Sequence, residues 1–374
     1  MSPFRLQPAS RLPCNDVSAY VRSKRIALAH EIGPKKKIYL DTKYWVLLRD
    51  VRLGRPKSSS LAELLARVEV LVRDGHALCP LNADIFFEVF KQNDPATLTA
   101  SVELIDDLSS GISLIPMTER LPLEVFHFIE TSRRGAAAVF AMDELVSTKA
   151  AYVIGFVTPD HYELPDEQNV TIQKAFADHM WGLKLSDYLN TMGADKAAAR
   201  EPSFPDISAQ LNEGKLRSIH EHKSFKSLFL SEVRGVLDVY EPELADLIHF
   251  IFERDTGNQL DNHVKLQDDS GRLIANVVYD AFRLNRVTNQ FPTIRVGAGL
   301  HAALRWNGDR KYKANDLFDF RHAEAALPYG DYFLTENSLR QLLQDGNLKF
   351  QELFPCKVCS EPSEALSELE SIDA

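Results

Sequence analysis

The hydrophobic pattern begins sharply at IYL, residues 38–40, a short apolar run after Lys35–Lys37 that reads as a buried strand ending at Asp41. TKYWVLLRDVRLG follows with Tyr44, Leu47, Leu48 and Val51 on one helical face, stopped by Gly54 and Pro56. Leu61, Leu64, Leu65, Val68, Leu71 and Val72 repeat at helical spacing in LAELLARVEVLVRDG, and Ser60 with Glu63 fits a capping box. HALCP then predicts a second strand, and NADIFFEVFKQ a helix capped by Asn82. A helix near Thr97–Leu108 and a strand at ISLIP complete a β-α-α-β-α-α-β series over 37–116. Such alternation predicts a parallel sheet with helices on its faces.

The pattern changes over roughly 120–310, which is largely helical with polar loops near Pro159–Gln168, Glu201–Asp206 and Asp255–Asp269. It returns to α/β at the end. Leu317–Ala326 predicts a helix, YFLT a strand, NSLRQLLQ a helix and FPCKVCS a last strand. The expected architecture is a lead-in over 1–34, one α/β domain formed from 35–118 and 312–374, and a helical insertion over 119–311.

The 45% hydrophobic content suits a chain that buries a real core. The net charge of −10 argues against nucleic-acid binding through overall charge, but 43 Lys and Arg leave room for a local basic surface. No signal-like apolar stretch opens the sequence and no run of about 18 apolar residues occurs. The expectation is therefore a cytoplasmic protein without a membrane partner. Cys356 and Cys359 form a CxxC whose ordinary reading is a short strand. Cys14 and Cys79 are isolated, so no second CxxC completes a zinc site.

Candidate chemistry lies in the acids. Ligand sites in parallel sheets form beyond the carboxyl ends of the strands. Asp41 ends the first strand. Glu88 borders the packed face of the helix after the second. In NDLFDFRHAEAALPYGDYFLTEN, Asp316 and Asp319 open a helix, Asp331 precedes a strand and Glu336 follows it. Singly, each has a structural explanation as a cap or a helix-dipole partner. Together, acids at strand ends repel unless cations neutralise them, and Mg²⁺ or Mn²⁺ takes such oxygen ligands.

IYLDT with Asp41, CPLNADIFFEVF with Glu88 and the Asp319 segment, in this order, resemble the PIN-like metal-dependent nucleases. Asp316, His322, Asp331 and Glu336 are similar to a bacterial PIN-like subgroup with ND-x-x-D-x-x-H, ALPY-x-D and T-E. The resemblance covers roughly 37–118 and 312–370; Lys43 departs from it, standing where Asn or Ser is usual. It implies a three-layer α/β/α parallel sheet and a nuclease, with RNA preferred to DNA. Its implied catalytic acids are Asp41, Glu88, Asp319 and Asp331, with Asp316 and Glu336 also near Mg²⁺ or Mn²⁺. The alternative is a non-catalytic PIN-like scaffold whose insertion recognises a partner.

Lys43, Arg49, Arg52, Arg55 and Lys57, then Arg305, Arg310, Lys311 and Lys313 around Tyr312, and Arg321 with His322, are candidate phosphate contacts. An ordinary solvated face explains the lysines and arginines equally, and His322 also reads as a core histidine. TIRVGAGLHAALRW holds Gly297, Gly299 and Ala302 after a strand-like run, but no second strand completes a dinucleotide fold. HAD-like phosphatases need a second Asp where this chain has Lys43.

Overall fold

The computed structural model describes residues 17–136, 139–159, 164–193, 207–218, 222–258, 260–261 and 269–372. The part of the expected 1–34 lead-in before Val17, Cys14 included, the 201–206 loop and parts of the loops near 160 and 265 lie outside the described residues.

Helix makes up 67% of the described residues, so a small sheet organises a mostly helical protein. Four parallel strands run in the order β2-β1-β5-β6, where β1 is Lys36–Leu40, β2 Ala77–Leu78, β5 Tyr332–Leu334 and β6 Lys357–Cys359. Ile38, Tyr39 and Leu40 are fully buried, as a central parallel strand covered on both faces requires. The chain leaves β1 for β2 on one side and reaches β5 on the other only after the long helical region. The β1/β5 border is thus the topological switch point where such sheets open a crevice.

The strand expected at ISLIP forms, but its pairing differs from a continuation of the parallel sheet. β3 (Ile112–Leu114) pairs antiparallel with β4 (Ser147–Lys149) and meets the second-strand segment only through a parallel bridge from Leu81 to Ser113. β4 is the tripeptide STK, whose polar side chains gave no apolar signal. The helix Ser59–Arg73 is capped by Ser58, whose Oγ accepts from Leu61 N at 3.3 Å, rather than by Ser60.

Two hydrophobic clusters share one helix. Around the sheet, Leu40, Tyr44, Trp45, Phe320 and Phe333 pack with Val296, Leu300 and Leu304 of Pro292–Trp306. A second cluster draws on residues 121–298, including Leu121, Val233, Leu247, Phe282, Ile294 and Ala298. TIRV is therefore helix, started by Pro292, and Gly297 and Gly299 lie inside it. A Cβ at Gly297 would sit 2.2 Å from Glu324 Oε1, so the missing side chain admits close packing of the Asp316–Tyr329 helix.

Gly271 lets the Ser270–Arg283 helix approach the start of Glu241–Thr256, where an added Cβ would lie 2.2 Å from the Glu241 carbonyl oxygen. Backbone cannot move aside as a side chain can. Gly271→Ala is expected to cost about 2 kcal/mol in urea unfolding, despite alanine's better helix propensity. Gly308→Ala, with open space around it, should stay within about 0.5 kcal/mol of wild type.

Candidate active site at the carboxyl end of the sheet

Asp41 is 3% exposed and caps the Thr42–Arg52 helix, accepting from Tyr44 N at 3.1 Å. Its backbone N–H donates to Leu334 O at 3.0 Å, which carries the β1/β5 pairing one step past the strand. Thr335 and Glu336 leave β5 at the same border. Thr335 Oγ1 makes no hydrogen bond of full geometry, yet lies near enough to favour the ionised form of Asp41. Burial dominates and pushes Asp41 up to about 6, with Glu336 adding to the rise.

Asp319 lies in the first turn of Asp316–Tyr329 and is only partly exposed. Burial, then the charges of Asp41, Glu336 and Asp316, push it up to about 7 against the attraction of His322. The fold therefore puts Asp41, Asp319 and Glu336 in one another's field. Asp316 is buried at the edge, with Oδ2 accepting from Lys313 N at 2.8 Å. It is the first residue of its helix rather than the expected N-cap; Asn315 occupies the cap position.

Behind these acids lies a buried network. His322 is 1% exposed; Nδ1 lies 2.9 Å from Tyr39 Oη and Nε2 2.8 Å from Glu88 Oε2. The Thr42 hydroxyl donates to the same Glu88 oxygen at 2.5 Å. Burial disfavours the imidazolium, but Glu88 outweighs it and raises His322 to about 9. Burial likewise works against the Glu88 charge, and His322 and Thr42 reverse the sign, holding Glu88 below its ordinary range. Protonated His322 donates through both ring nitrogens, one to Tyr39 and one to Glu88. The expected phosphate contact is thus a core histidine that fixes an acid.

Asp331 is not part of this arrangement. Its Oδ2 accepts from Lys37 N at 2.9 Å and its Oδ1 from Lys36 Nζ at 3.0 Å. It sits beside the start of β1, four residues before Asp41, or ~13 Å away along a strand. An acid that precedes a parallel strand lies at the amino edge of the sheet, opposite the crevice.

The expected phosphate contacts also divide. Arg49 is buried, bonding Asp50 at 2.7 Å, Gln92 at 3.0 Å and Ser101 at 3.3 Å. Arg52 bonds Glu69 at 2.9 Å and Asp107 at 2.6 Å. Both tie helices together, and acids or polar side chains already engage their guanidinium groups. Arg310 donates to Ser338 O at 3.3 Å, Arg305 pairs with Glu232, and Tyr312 is buried against His301. Lys43 is exposed one turn from Asp41, and Arg321 is 50% exposed while donating to Asp84 Oδ1 at 3.3 Å.

Two residues escaped the sequence reading. Asp84, 8% exposed, joins Asn82 and Arg321 and adds to the field on His322. Lys91 lies 3.9 Å over the Phe318 ring and helps hold Glu88 ionised. Its place three residues after Glu88 was the available signal. In the CxxC, Cys356 and Cys359 are buried free thiols, one just before β6 and one its last residue, both raised by burial, so strand packing accounts for them.

Among the described residues, no group of three or more His, Cys, Asp and Glu side chains is arranged to hold a metal ion. Glu88 has one carboxylate oxygen, Oε2, engaged by both His322 and Thr42. The carboxyl groups that remain at the crevice are Asp41, Asp319 and Glu336. No helix among the described residues is long and apolar enough to cross a membrane. No family model, curated protein or solved structure matches the chain.

The His322 contribution to stability is fully present below its ordinary value of 6.5 and is lost as pH rises through about 9. That of Glu88 is present above its ordinary 4.5 and is lost as pH falls through its lowered value. His322→Gln is therefore expected to cost about 3 kcal/mol at pH 6, by leaving Glu88 charged and half-paired, and much less at pH 10. Urea unfolding of both proteins at the two pH values checks this; an equal loss at both would refute the charged pair.

Proposed function

We propose that the chain is a divalent-cation-dependent phosphodiesterase, most simply a ribonuclease, with a PIN-like three-layer arrangement around its sheet. The observation that carries this reading is the crowding of Asp41, Asp319 and Glu336, with both aspartates raised, at the switch-point border of a parallel sheet. Acids held in a repulsive field attract a cation. The donor set fits Mg²⁺ in one respect and not another. It offers no all-protein cage, but Mg²⁺ is commonly held by one or two carboxylates with water and substrate phosphate completing its shell.

Asp41 and Asp319 are the residues that would hold Mg²⁺ or Mn²⁺, with Glu336 at the exposed rim and Asp316 behind. A bound cation would neutralise phosphate charge and acidify water. Asp319 or Asp41, whichever stays free, takes the proton of the attacking water, and affinities near 6 and 7 suit that task at neutral pH. The water oxygen bonds to phosphorus as the bond to the 3′ oxygen breaks, and the departing 3′ oxygen takes a proton from solvent, leaving a 3′-hydroxyl and a 5′-phosphate. Lys43 and Arg321 supply positive charge on the exposed side. Glu88 and His322 hold the end of Thr42–Arg52 against the Asp316–Tyr329 helix, fixing the spacing of Asp41 and Asp319.

Cleavage of labelled single-stranded RNA and DNA with Mn²⁺ tests the reading. Asp41→Asn and Asp319→Asn should each lose about 100-fold or more, while Asp331→Asn stays within about twofold. Equal loss in all three, or cleavage indifferent to the first two, would sink it. No cleavage together with no cation binding by calorimetry would instead favour the scaffold alternative. Activity and cation affinity should rise with pH between about 5 and 8, because the cation binds the ionised acids.

Without cation, Asp319→Asn should stabilise the protein at pH 8 by on the order of 1–3 kcal/mol. The wild-type acid has a raised affinity, so the stability it lends is lost as pH rises through about 7. Thermal melts with and without Mg²⁺ read this directly.

A further inference from the structure

Away from the acids, a cavity of about 190 Å³ opens between the helices Phe225–Val239, Ser270–Arg283 and Pro292–Trp306 and the segment carrying Leu348 and Phe350. Phe229, Phe282 and Phe350 are among its walls, and Lys226, Arg295 and Asn347 supply its polar groups. None of the crevice acids lines it, and no Asp or Glu is among the described residues that do. An apolar cavity of ~150 Å³ is enough to take benzene, so this space holds one planar ring with a small substituent.

Among the described residues, the charge in the cavity is uncompensated. Arg295 donates Nη2–H to Val287 O at 2.9 Å, while its buried Nε–H has no hydrogen-bond partner among them. Its guanidinium lies 5.1 Å from the Phe282 centroid and 5.8 Å from that of Phe229. Lys226 Nζ donates to Asn285 Oδ1 at 3.2 Å, a neutral acceptor. Burial alone depresses the proton affinity of Arg295, with no acid set against it. Two cations at an aromatic cavity, one with an unmet donor, make a site in want of an anion.

We propose that this cavity binds a small ring-bearing anion, a single planar aromatic ring carrying one phosphate or carboxylate group, with the ring among Phe229, Phe282 and Phe350 and the anion toward Arg295 and Lys226. The site is independent of the phosphodiesterase reading. The Phe225–Val239 and Ser270–Arg283 helices belong to the helical region and Phe350 to the C-terminal α/β segment, so a ligand here touches both.

Calorimetric titration of the full chain in EDTA tests the site with phenyl phosphate and with benzoate, each beside its neutral counterpart, phenol and benzamide. At least one anion should bind with a Kd below about 1 mM, and its neutral counterpart at least about tenfold more weakly. A response to phenyl phosphate alone identifies the phosphate source, and to benzoate alone the carboxylate source. Lys226→Gln and Arg295→Gln should each weaken binding by about fivefold or more, whereas Asp319→Asn should leave it unchanged. Should Arg295→Gln lose its fold by circular dichroism, Lys226→Gln decides, because that side chain is exposed. The inference is overturned if neither anion binds up to about 10 mM, if the neutral counterparts bind equally, or if Lys226→Gln has no effect. An effect of Asp319→Asn on binding would place the ligand in the crevice and overturn it too, while leaving the cleavage test untouched.

Discussion

The contact between His322 and Glu88 holds together parts of the chain that are 234 residues apart. It is buried, charged and satisfied from three directions, by Tyr39 below the imidazole and by Thr42 and His322 around the carboxylate. A pair in that position is stabilising only while both partners are present, since either alone is a stranded buried charge. Its value lies equally in placement. Tyr39 is on the central strand, Thr42 begins the helix that Asp41 caps, and His322 follows Asp319 by one turn. The geometry of the two raised aspartates is inherited from this network.

The protein consequently separates two kinds of acid. Glu88 is held ionised and engaged, whereas Asp41 and Asp319 are held against their charge. Such division of environment is how one fold keeps some carboxylates as fixed anions and others as proton acceptors near neutral pH. The strain of the second kind is tolerated because the first kind, together with a fully buried β1, anchors the border where both meet.

Much of this was legible in the hydrophobic pattern. IYL, YFL and the helices around them are visible because a covered parallel strand must be apolar throughout. The N-caps Asp41 and Asn82 are visible because their side chains close helix ends. β4 was invisible because pairing through backbone needs no apolar side chain. The engagement of Arg49 and Arg52 was hidden for a different reason: nothing in their spacing reveals acids and amides arriving from elsewhere in the chain. Asp331 and Glu336 look alike in sequence, each flanking YFL. Strand direction distinguishes them, since in a parallel sheet only the residue after the strand reaches the crevice.

The central pairing of β1 with β5 also has a temporal side. Lys37 and Asp331 meet although they stand 294 positions apart in the chain. Contacts so distant pay a large loop-closure entropy before they return any stability, and they slow folding. On the ribosome, β1 emerges with one edge unpaired and stays so until β5 and β6 have been made. During that interval an apolar strand edge is available to other chains. The helical region can gather its own cluster of residues 121–298 meanwhile, bringing the ends of the sheet nearer before the last strands arrive. The order of synthesis thus makes the crevice a late part of the molecule, and leaves the unfinished chain without its paired acids until nearly all of it has been translated.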